Sequence, residues 1–267
     1  MKSLKHLLVF LLIGLCLACQ DDTDRIIQTN LPDEALQLFD VSSVLGETTP
    51  LASFSFSDFR NLSSENLPGC PLIELDLNLQ QVLLNYDERG DCEGEPNHSR
   101  KGKILIDFSN QSGLVRKLFY YENYSFESYQ LQGIREFTQS TLSNFTETFE
   151  NLRLESEQNL GFTISGEFTH QIKRNSFIPQ SITSSGNLTG RNPAGRTLRL
   201  NIATPKFTEL RCYAQDQILP MAGIETWWVG RGESSEVSYR ISFEKESECS
   251  VQAFAQLPDG RRLRLIN

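Results

Sequence analysis

Four cysteines in the body of the chain are the residues whose type and spacing most directly indicate chemistry. They are Cys70, Cys92, Cys212 and Cys249, an even number that can form two disulfide bonds. Four cysteines allow three pairings, and their number alone does not choose among them. The C-x-x-C spacing of zinc sites does not occur, so we expect disulfide bonds rather than a metal site.

A repeated pattern along the chain favours one of these pairings. Residues 86–92 and 243–249 each consist of an aromatic residue, five mostly charged residues and a cysteine, and each aromatic residue ends an alternating segment. Each copy also has one cysteine upstream. The pattern predicts two related hairpin units closed by the pairs Cys70–Cys92 and Cys212–Cys249, each bridge contributing about 3–4 kcal/mol in the chain-entropy model. Chance similarity between short hairpins with free thiols is the alternative.

Cys19 indicates a different cysteine chemistry, which is acylation. Basic residues precede an apolar run over residues 7–17 that is too short to span a bilayer, and Ala18 stands directly before the cysteine. The segment resembles a bacterial lipoprotein signal, in which the cysteine is lipidated and becomes the first residue of the mature protein. Cys16 occupies the place where that signal usually has leucine. An unlipidated signal peptide cleaved after Ala18 is therefore the alternative.

The residues around Cys19 predict how the chain is divided. Residues 1–18 are predicted to be the signal peptide, residues 19–49 a lipidated N-terminus with an acidic, polar tether, and residues 50–267 a single antiparallel β domain. A short first element is expected around residues 35–39. The acidic run over residues 20–24 resembles the surface-export signal of lipoproteins in the Bacteroidota, and a solvated linker is the alternative. The resemblance implies an outer-membrane protein anchored by palmitate and facing the cell surface.

The charge of the chain limits the classes of partner. The formal net charge is −9, and removal of the signal makes the chain more acidic. An acidic surface repels phosphate backbones, so we do not expect a nucleic-acid partner. The expected partners are the membrane, reached through the N-terminal lipid, and an unidentified glycan or protein.

Alternation of apolar and polar residues dominates the sequence after residue 70. It is strict over residues 73–79, 162–172 and 198–202, and a period of two is typical of antiparallel strands with one buried face. Three long neighbouring strands are predicted near residues 125–137, 144–154 and 161–173. The fold class is therefore all-β, an antiparallel meander of ten to twelve strands that forms a sandwich or a curled half-barrel.

The sequence gives little indication of catalysis. No G-x-S-x-G, H-E-x-x-H or P-loop motif occurs. His98 stands in a polar turn and His170 on the apolar side of a predicted strand, so a solvated and a structural role are expected for them. The acidic loop over residues 87–95 does not have the spacing of an EF-hand. We assign no catalytic residue, metal ligand or cofactor, and we predict that the protein is not an enzyme.

Trp227 and Trp228 are the candidate ligand-binding residues. They are neighbours in an alternating segment, so one should enter the core while the other can be exposed. An exposed tryptophan can stack on a sugar ring or pack against a partner. Shielding of both rings by other side chains is the alternative.

The region from Leu67 to the C-terminus has a recurring pattern of turns and cysteines. Its elements are Cys70-Pro71, the 86–92 block, Arg100–Ile104, Tyr124 with Gly133, Ile202–Pro205, Cys212, Ala222-Gly223 and Pro258–Arg261. This pattern resembles an uncharacterised family of outer-membrane or surface lipoproteins of the Bacteroidota. The resemblance adds the expectation of a cysteine-containing, β-rich lipoprotein fold and implies no activity or catalytic residue.

These observations lead to one leading functional hypothesis and two alternatives. The leading hypothesis is a lipid-anchored, surface-exposed, non-enzymatic β domain that binds or scaffolds an unknown partner. The first alternative is a carbohydrate-binding surface lipoprotein, suggested by the tryptophan pair. The second is a periplasmic carrier of lipid or lipoprotein, because a curled sheet with an apolar concave face can hold acyl chains.

Overall fold

The computed structural model describes residues 30–266 apart from residues 109, 112–113, 142, 159, 177 and 233–234. Cys19, the predicted signal peptide and the acidic run over residues 20–24 lie outside the described residues. Within the described part, fifteen antiparallel strands form one sheet in which most strands pair with the next strand along the chain. The all-β antiparallel meander predicted from the alternation is confirmed.

The helices are short apart from the first. They are α1 (Leu31–Thr48), α2 (Phe56–Phe59) and α3 (Leu210–Tyr213), with 3₁₀ segments at Thr49–Ser53 and Ser64–Asn66. The strands are β1 (Pro71–Asp76), β2 (Gln81–Arg89), β3 (Arg100–Asp107), β4 (Asn110–Gln111), β5 (Leu114–Phe126), β6 (Tyr129–Gln132), β7 (Ile134–Thr141), β8 (Asn144–Ser156), β9 (Gly161–Asn175), β10 (Ile178–Arg191), β11 (Thr197–Glu209), β12 (Ala222–Gly230), β13 (Glu236–Lys245), β14 (Val251–Gln256) and β15 (Arg262–Arg264).

The long central strands differ from the sequence prediction in one place. The predicted strands near residues 144–154 and 161–173 correspond to β8 and β9. The predicted strand over residues 125–137 is wrong, because the chain turns after β5 and is interrupted again between β6 and β7. Glu127 and Gly133 both have positive φ, at 50° and 125°, which ends regular extended backbone at each of these points. The interruptions help to explain why the strand count exceeds the predicted ten to twelve.

Helix α1 is part of the hydrophobic core, so the predicted tether over residues 19–49 is wrong for residues 31–49. Pro32 and two acidic residues occupy its first turn, which favours a helix N-terminus. The helix passes into a 3₁₀ segment at Thr49, and Pro50 has no N–H with which to continue the α-helical hydrogen bonds. Leu38 and Val41 have 1% and 0% exposed surface. The buried face also contains polar residues, and they obscure the helical period in the sequence.

Contacts of α1 show that the sheet curls around it. Ser42 donates a hydrogen bond to Glu225 in β12, and Glu47 accepts one from Arg100 at the start of β3. Seven strand-to-strand spacings separate β3 from β12, and in a flat sheet these two strands would lie about 34 Å apart. The two helix residues are only about 8 Å apart along the axis. A single curled sheet wrapped around a helix therefore describes the molecule, rather than a sandwich.

Both predicted disulfides are present, Cys70–Cys92 and Cys212–Cys249. Each belongs to a three-stranded meander, β1–β2–β3 in the first case and β12–β13–β14 in the second. In each meander one cysteine precedes the first strand and the other lies in the connection between the second and third strands. The equivalent placement confirms two related disulfide-closed units. No helix of the described residues has the length and apolar character needed to cross a bilayer.

Candidate functional site

Helix α1 carries two buried carboxylates that are closed into ion-pair clusters. Glu47 Oε1 accepts a hydrogen bond from Arg100 Nε at 2.7 Å, and Glu47 Oε2 accepts one from the Tyr124 hydroxyl at 2.7 Å. Arg100 Nη2 also lies 2.7 Å from Asp216 Oδ1. Burial opposes the charge of Arg100, but Glu47, Asp216 and the neighbouring tyrosines together outweigh it and raise the pKa of the guanidinium. The other carboxylate, Glu34, is paired with Arg231 and with the Tyr239 hydroxyl.

A third cluster joins the middle of α1 to the sheet. Glu225 Oε1 accepts hydrogen bonds from Ser42 Oγ and Lys206 Nζ, each at 2.6 Å, while Glu225 Oε2 accepts one from Trp227 Nε1 at 3.1 Å. Glu225 has 0% exposed surface. Buried charges are tolerated when they are paired and hydrogen-bonded, so these clusters fix the position of α1 against the sheet.

A fourth cluster borders a small cavity between the C-terminal end of α1 and the sheet. Arg135 Nη2 lies 2.6 Å from Glu147 Oε1, and His170 Nε2 lies 3.0 Å from Glu147 Oε2. His170 Nδ1 lies 2.8 Å from Ser184 Oγ. Burial lowers the pKa of His170, so the neutral ring donates from Nε2 to Glu147 and accepts the Ser184 hydroxyl at Nδ1. Burial alone would raise the pKa of Glu147, but Arg135 and His170 hold it below its ordinary value.

The line of Ser184, His170 and Glu147 has the order of a nucleophile, a base and an orienting carboxylate. Its surroundings do not suit acyl transfer. The adjoining cavity is ≈ 40 Å³, whereas pockets for substrates are roughly 300–1,000 Å³. Lys206 lines the cavity but is committed to Glu225, so it is a poor oxyanion donor. We therefore interpret this cluster as structural.

A second pocket lies beside the middle of α1 and has a different character. It is enclosed by α1, the β5–β6 turn, the segment before β12 and the C-terminal residues, and its volume is ≈ 170 Å³. Its lining is mostly apolar, with a few polar groups from the helix and the turn. The apolar lining residues are Phe39, Val44, Phe126, Tyr129, Ile218, Leu219 and Ile266.

The carboxylate in this second pocket is Asp40. Burial raises its pKa to about 6, a hydrogen bond from the Tyr129 hydroxyl partly offsets that effect, and the nearby charge of Glu127 raises the pKa further. Burial and the adjacent Asp40 likewise raise the pKa of Tyr129 to about 12. Glu127 Oε1 lies 2.8 Å from His98 Nδ1, and this partly exposed pair borders the pocket. We call this site the Asp40 pocket. It is an apolar space with one poorly compensated carboxylate, which is the usual composition of a small-molecule site.

A more open groove lies on the other side of Glu127, along the ends of β5, β6 and β8. Its volume is ≈ 520 Å³, and its walls are hydroxyl, amide and charged side chains. No aromatic side chain lines it within the described residues. The groove therefore lacks the flat apolar surface on which sugars stack.

The predicted ligand-binding residues lie elsewhere in the sheet. Trp227 and Trp228 point to opposite faces of β12, as expected for neighbours in a strand. Trp227 has 0% exposed surface, and the guanidinium of Arg199 covers Trp228 at 4.9 Å from the ring centroid. Trp227 therefore has no free face, and Arg199 occupies one face of the partly exposed Trp228 ring, so a ligand-binding role for this pair stays a prediction.

The other sequence-level candidates do not converge on a site. The acidic loop after β2 contains its own pair, with Arg89 Nη1 at 3.3 Å from Glu95 Oε1. No group of three His, Cys, Asp or Glu side chains in the described part of the chain is placed to hold a metal ion. Cys70, Cys92, Cys212 and Cys249 are all in disulfides, and Cys19 lies outside the described residues.

Asp40 was missed because it stands in the segment predicted to be a tether. The clue was present in its neighbours, since Phe39 and Val41 flank an acid inside a helical repeat that includes Leu38 and Leu45. The partners of Asp40 come from β6 and from the turn before it, and their proximity depends on the curl of the sheet.

Comparisons with known proteins give no match to this chain, whether with protein-family models, with curated proteins or with solved structures. The functional argument therefore depends on the residues and their geometry.

Proposed function

We propose that this protein is a lipid-anchored, non-enzymatic binding domain that works outside the cytoplasm, at the outer membrane and on the cell surface. The observation that carries the proposal is the pair of disulfides, one in each of two equivalent three-stranded units. Disulfides persist in oxidising compartments and are rare in the cytosol. The Cys19 signal supplies the anchor, and each acyl chain contributes about 0.8 kcal/mol per buried CH₂, so two or three chains hold the domain firmly at the membrane.

Metabolic labelling with palmitate tests the anchor. The wild-type chain and a Cys16→Ala variant, which keeps Cys19, are expected to incorporate label and to fractionate with the membrane. A Cys19→Ala variant is expected to lose the label. Equal labelling of the Cys19→Ala variant would show that the lipid is not on this residue. Protease treatment of intact cells then distinguishes an outward-facing domain, which is digested, from a periplasmic one, which is protected.

A second candidate function is the carriage of a small apolar molecule, and the Asp40 pocket favours it. The pocket is largely apolar and lies between the helix and the sheet, where ligand pockets of curled sheets are often found. The carbohydrate-binding alternative has less support, because Trp227 is buried, Arg199 occupies one face of Trp228, and the polar groove lacks aromatic side chains among the described residues.

A further inference from the structure

The Asp40 pocket has more free hydrogen-bond acceptor positions than free donors. The Tyr129 hydroxyl already donates to Asp40, the Ser43 hydroxyl donates to the carbonyl of Phe39 at 2.9 Å, and the His98 ring is engaged with Glu127. A carboxylate offers about four acceptor positions, and Asp40 uses only part of this capacity among the described residues. Asp40 therefore has acceptor positions to spare, and the neutral Ser128 hydroxyl is a remaining side-chain donor at the pocket. A ligand that completes it must donate hydrogen bonds.

The charges around the pocket further limit the class of ligand that can bind. Asp40 and Glu127 are both acidic and repel each other, and His98 is the group that partly balances Glu127. A cation placed between the helix and the turn relieves this repulsion, whereas an anion adds to it. The largely apolar walls lower the local polarity and strengthen both effects.

The size of the pocket limits the apolar part of the ligand. An apolar cavity of about 150 Å³ holds a benzene molecule. The ≈ 170 Å³ of the Asp40 pocket therefore accommodates one aromatic ring or a short aliphatic chain. Phe39 and Phe126 lie in its walls and suit either shape.

We propose that the Asp40 pocket binds a small apolar molecule that ends in a primary ammonium group, with the ammonium donating to the Asp40 carboxylate and the apolar part among the phenylalanines. The ligand class rests on the binding role proposed above, but it does not depend on the lipid anchor. The palmitate experiment and the binding experiment below can therefore fail independently.

Calorimetric titration of the full-length protein, purified as the cell produces it and kept in detergent micelles, tests the ligand class. Three probes share one ring and differ in the end group: 2-phenylethylamine, 2-phenylethanol and phenylacetate. The amine is expected to bind about tenfold more tightly than the alcohol, since a hydrogen bond to a charged group is the main difference, and phenylacetate is expected not to bind. Equal affinity for the amine and the alcohol would overturn the proposal, as would the absence of amine binding to protein that thermal unfolding shows to be folded.

Three variants locate the binding. Asp40→Asn is expected to bind the amine and the alcohol equally, because the carboxylate is lost while the apolar walls remain. Ser43→Phe places a ring in the pocket and is expected to abolish binding of all probes. Asp33→Asn is the matched control, because Asp33 is an exposed acid on the same helix, outside the pocket, and it should bind like the wild type. Unchanged amine preference in Asp40→Asn would place the amine elsewhere and overturn the assignment.

Discussion

Glu47 and Asp40 lie seven residues apart on α1, so two helical turns bring them to similar sides of the same helix. Glu47 has 0% exposed surface and is closed by Arg100 and Tyr124, while Asp40 lies in an apolar pocket with one tyrosine donor. The first carboxylate is fully buried and accepts a hydrogen bond on each oxygen, one of them from a charged guanidinium, whereas the second has one tyrosine donor and faces a pocket. The difference separates acids that hold the fold together from an acid that is available to a ligand.

The two disulfides lie on the Glu47 side of the molecule and help to hold the Glu47 cluster in place. Tyr213, the neighbour of Cys212, donates its hydroxyl to the backbone carbonyl of Glu47 at 2.8 Å. Cys70 follows Gly69, whose backbone is packed against the Arg100 side chain. Both bridges therefore stand next to the Glu47 cluster, while the Asp40 pocket is lined by neither.

The largest expected effect comes from opening the Glu47 cluster. Glu47→Ala leaves Arg100 buried without its main partner, and loss of one member of a buried pair costs about 3–5 kcal/mol of unfolding free energy. Asp40→Ala should cost little or no unfolding free energy, since it removes a poorly compensated acid. Urea unfolding measures both variants. Similar losses at the two positions would contradict the distinction between a closed cluster and an open pocket.

Removal of either disulfide should have the next largest effect. The bridges span 22 and 37 residues, and the chain-entropy model gives about 3–4 kcal/mol for each, with the longer loop slightly more costly. The paired replacements Cys70→Ser with Cys92→Ser, and Cys212→Ser with Cys249→Ser, test this in denaturant titrations, with reduced wild-type protein as the control. Amine affinity in the folded variants should stay at the wild-type value; a parallel loss of binding would show that the two regions are coupled.

The smallest effect concerns the pH dependence of the pocket. Burial raises the pKa of Asp40 from 3.8 to about 6, so the folded state holds a proton there over a range in which the unfolded state has released it. This contribution to stability is complete below pH 3.8 and is lost as the pH rises through 6. Asp40→Asn removes the dependence, so at pH 7.5 the variant should be more stable than the wild type by about 1–2 kcal/mol, after allowance for partial exposure.

Urea midpoints of the wild type and Asp40→Asn between pH 4 and pH 7.5 measure this prediction. The difference between them should grow in favour of the variant as the pH rises. A constant difference over this range would show that Asp40 has an ordinary pKa and is not desolvated by the pocket.

The sheet could be predicted from the sequence because its residues carry their own pattern. Alternation gave β8 and β9 nearly in full, and the repeated cysteine segments gave both disulfide pairs. The first break in the predicted strand at residues 125–137 could not be predicted, because it depends on positive φ at Glu127, which is not glycine, whereas the second break falls at a glycine, Gly133. Helix α1 was underestimated because Glu34, Ser42 and Glu47 are on its buried face, where a polar residue is acceptable only with a partner from a distant strand.

The candidate site was harder to predict from the sequence than the fold. Asp40, Glu127 and His98 are far apart in the chain, and each is unremarkable in its own segment. They meet because the curled sheet places the β5–β6 turn and the β2–β3 connection beside α1. The tryptophan pair attracted attention because of its residue type, but whether a ring is free is decided by neighbours such as Arg199 on the adjacent strand.

The central claim is that the Asp40 carboxylate is an unsaturated acid that an ammonium ligand completes. Carbon-detected nuclear magnetic resonance of the Asp40 carboxyl, titrated with pH in the absence and presence of saturating 2-phenylethylamine, tests it most directly. The account predicts a pKa of about 6 without the amine and a clear fall with it, because a neighbouring cation stabilises the ionised form. A pKa that is the same in both titrations would contradict the account.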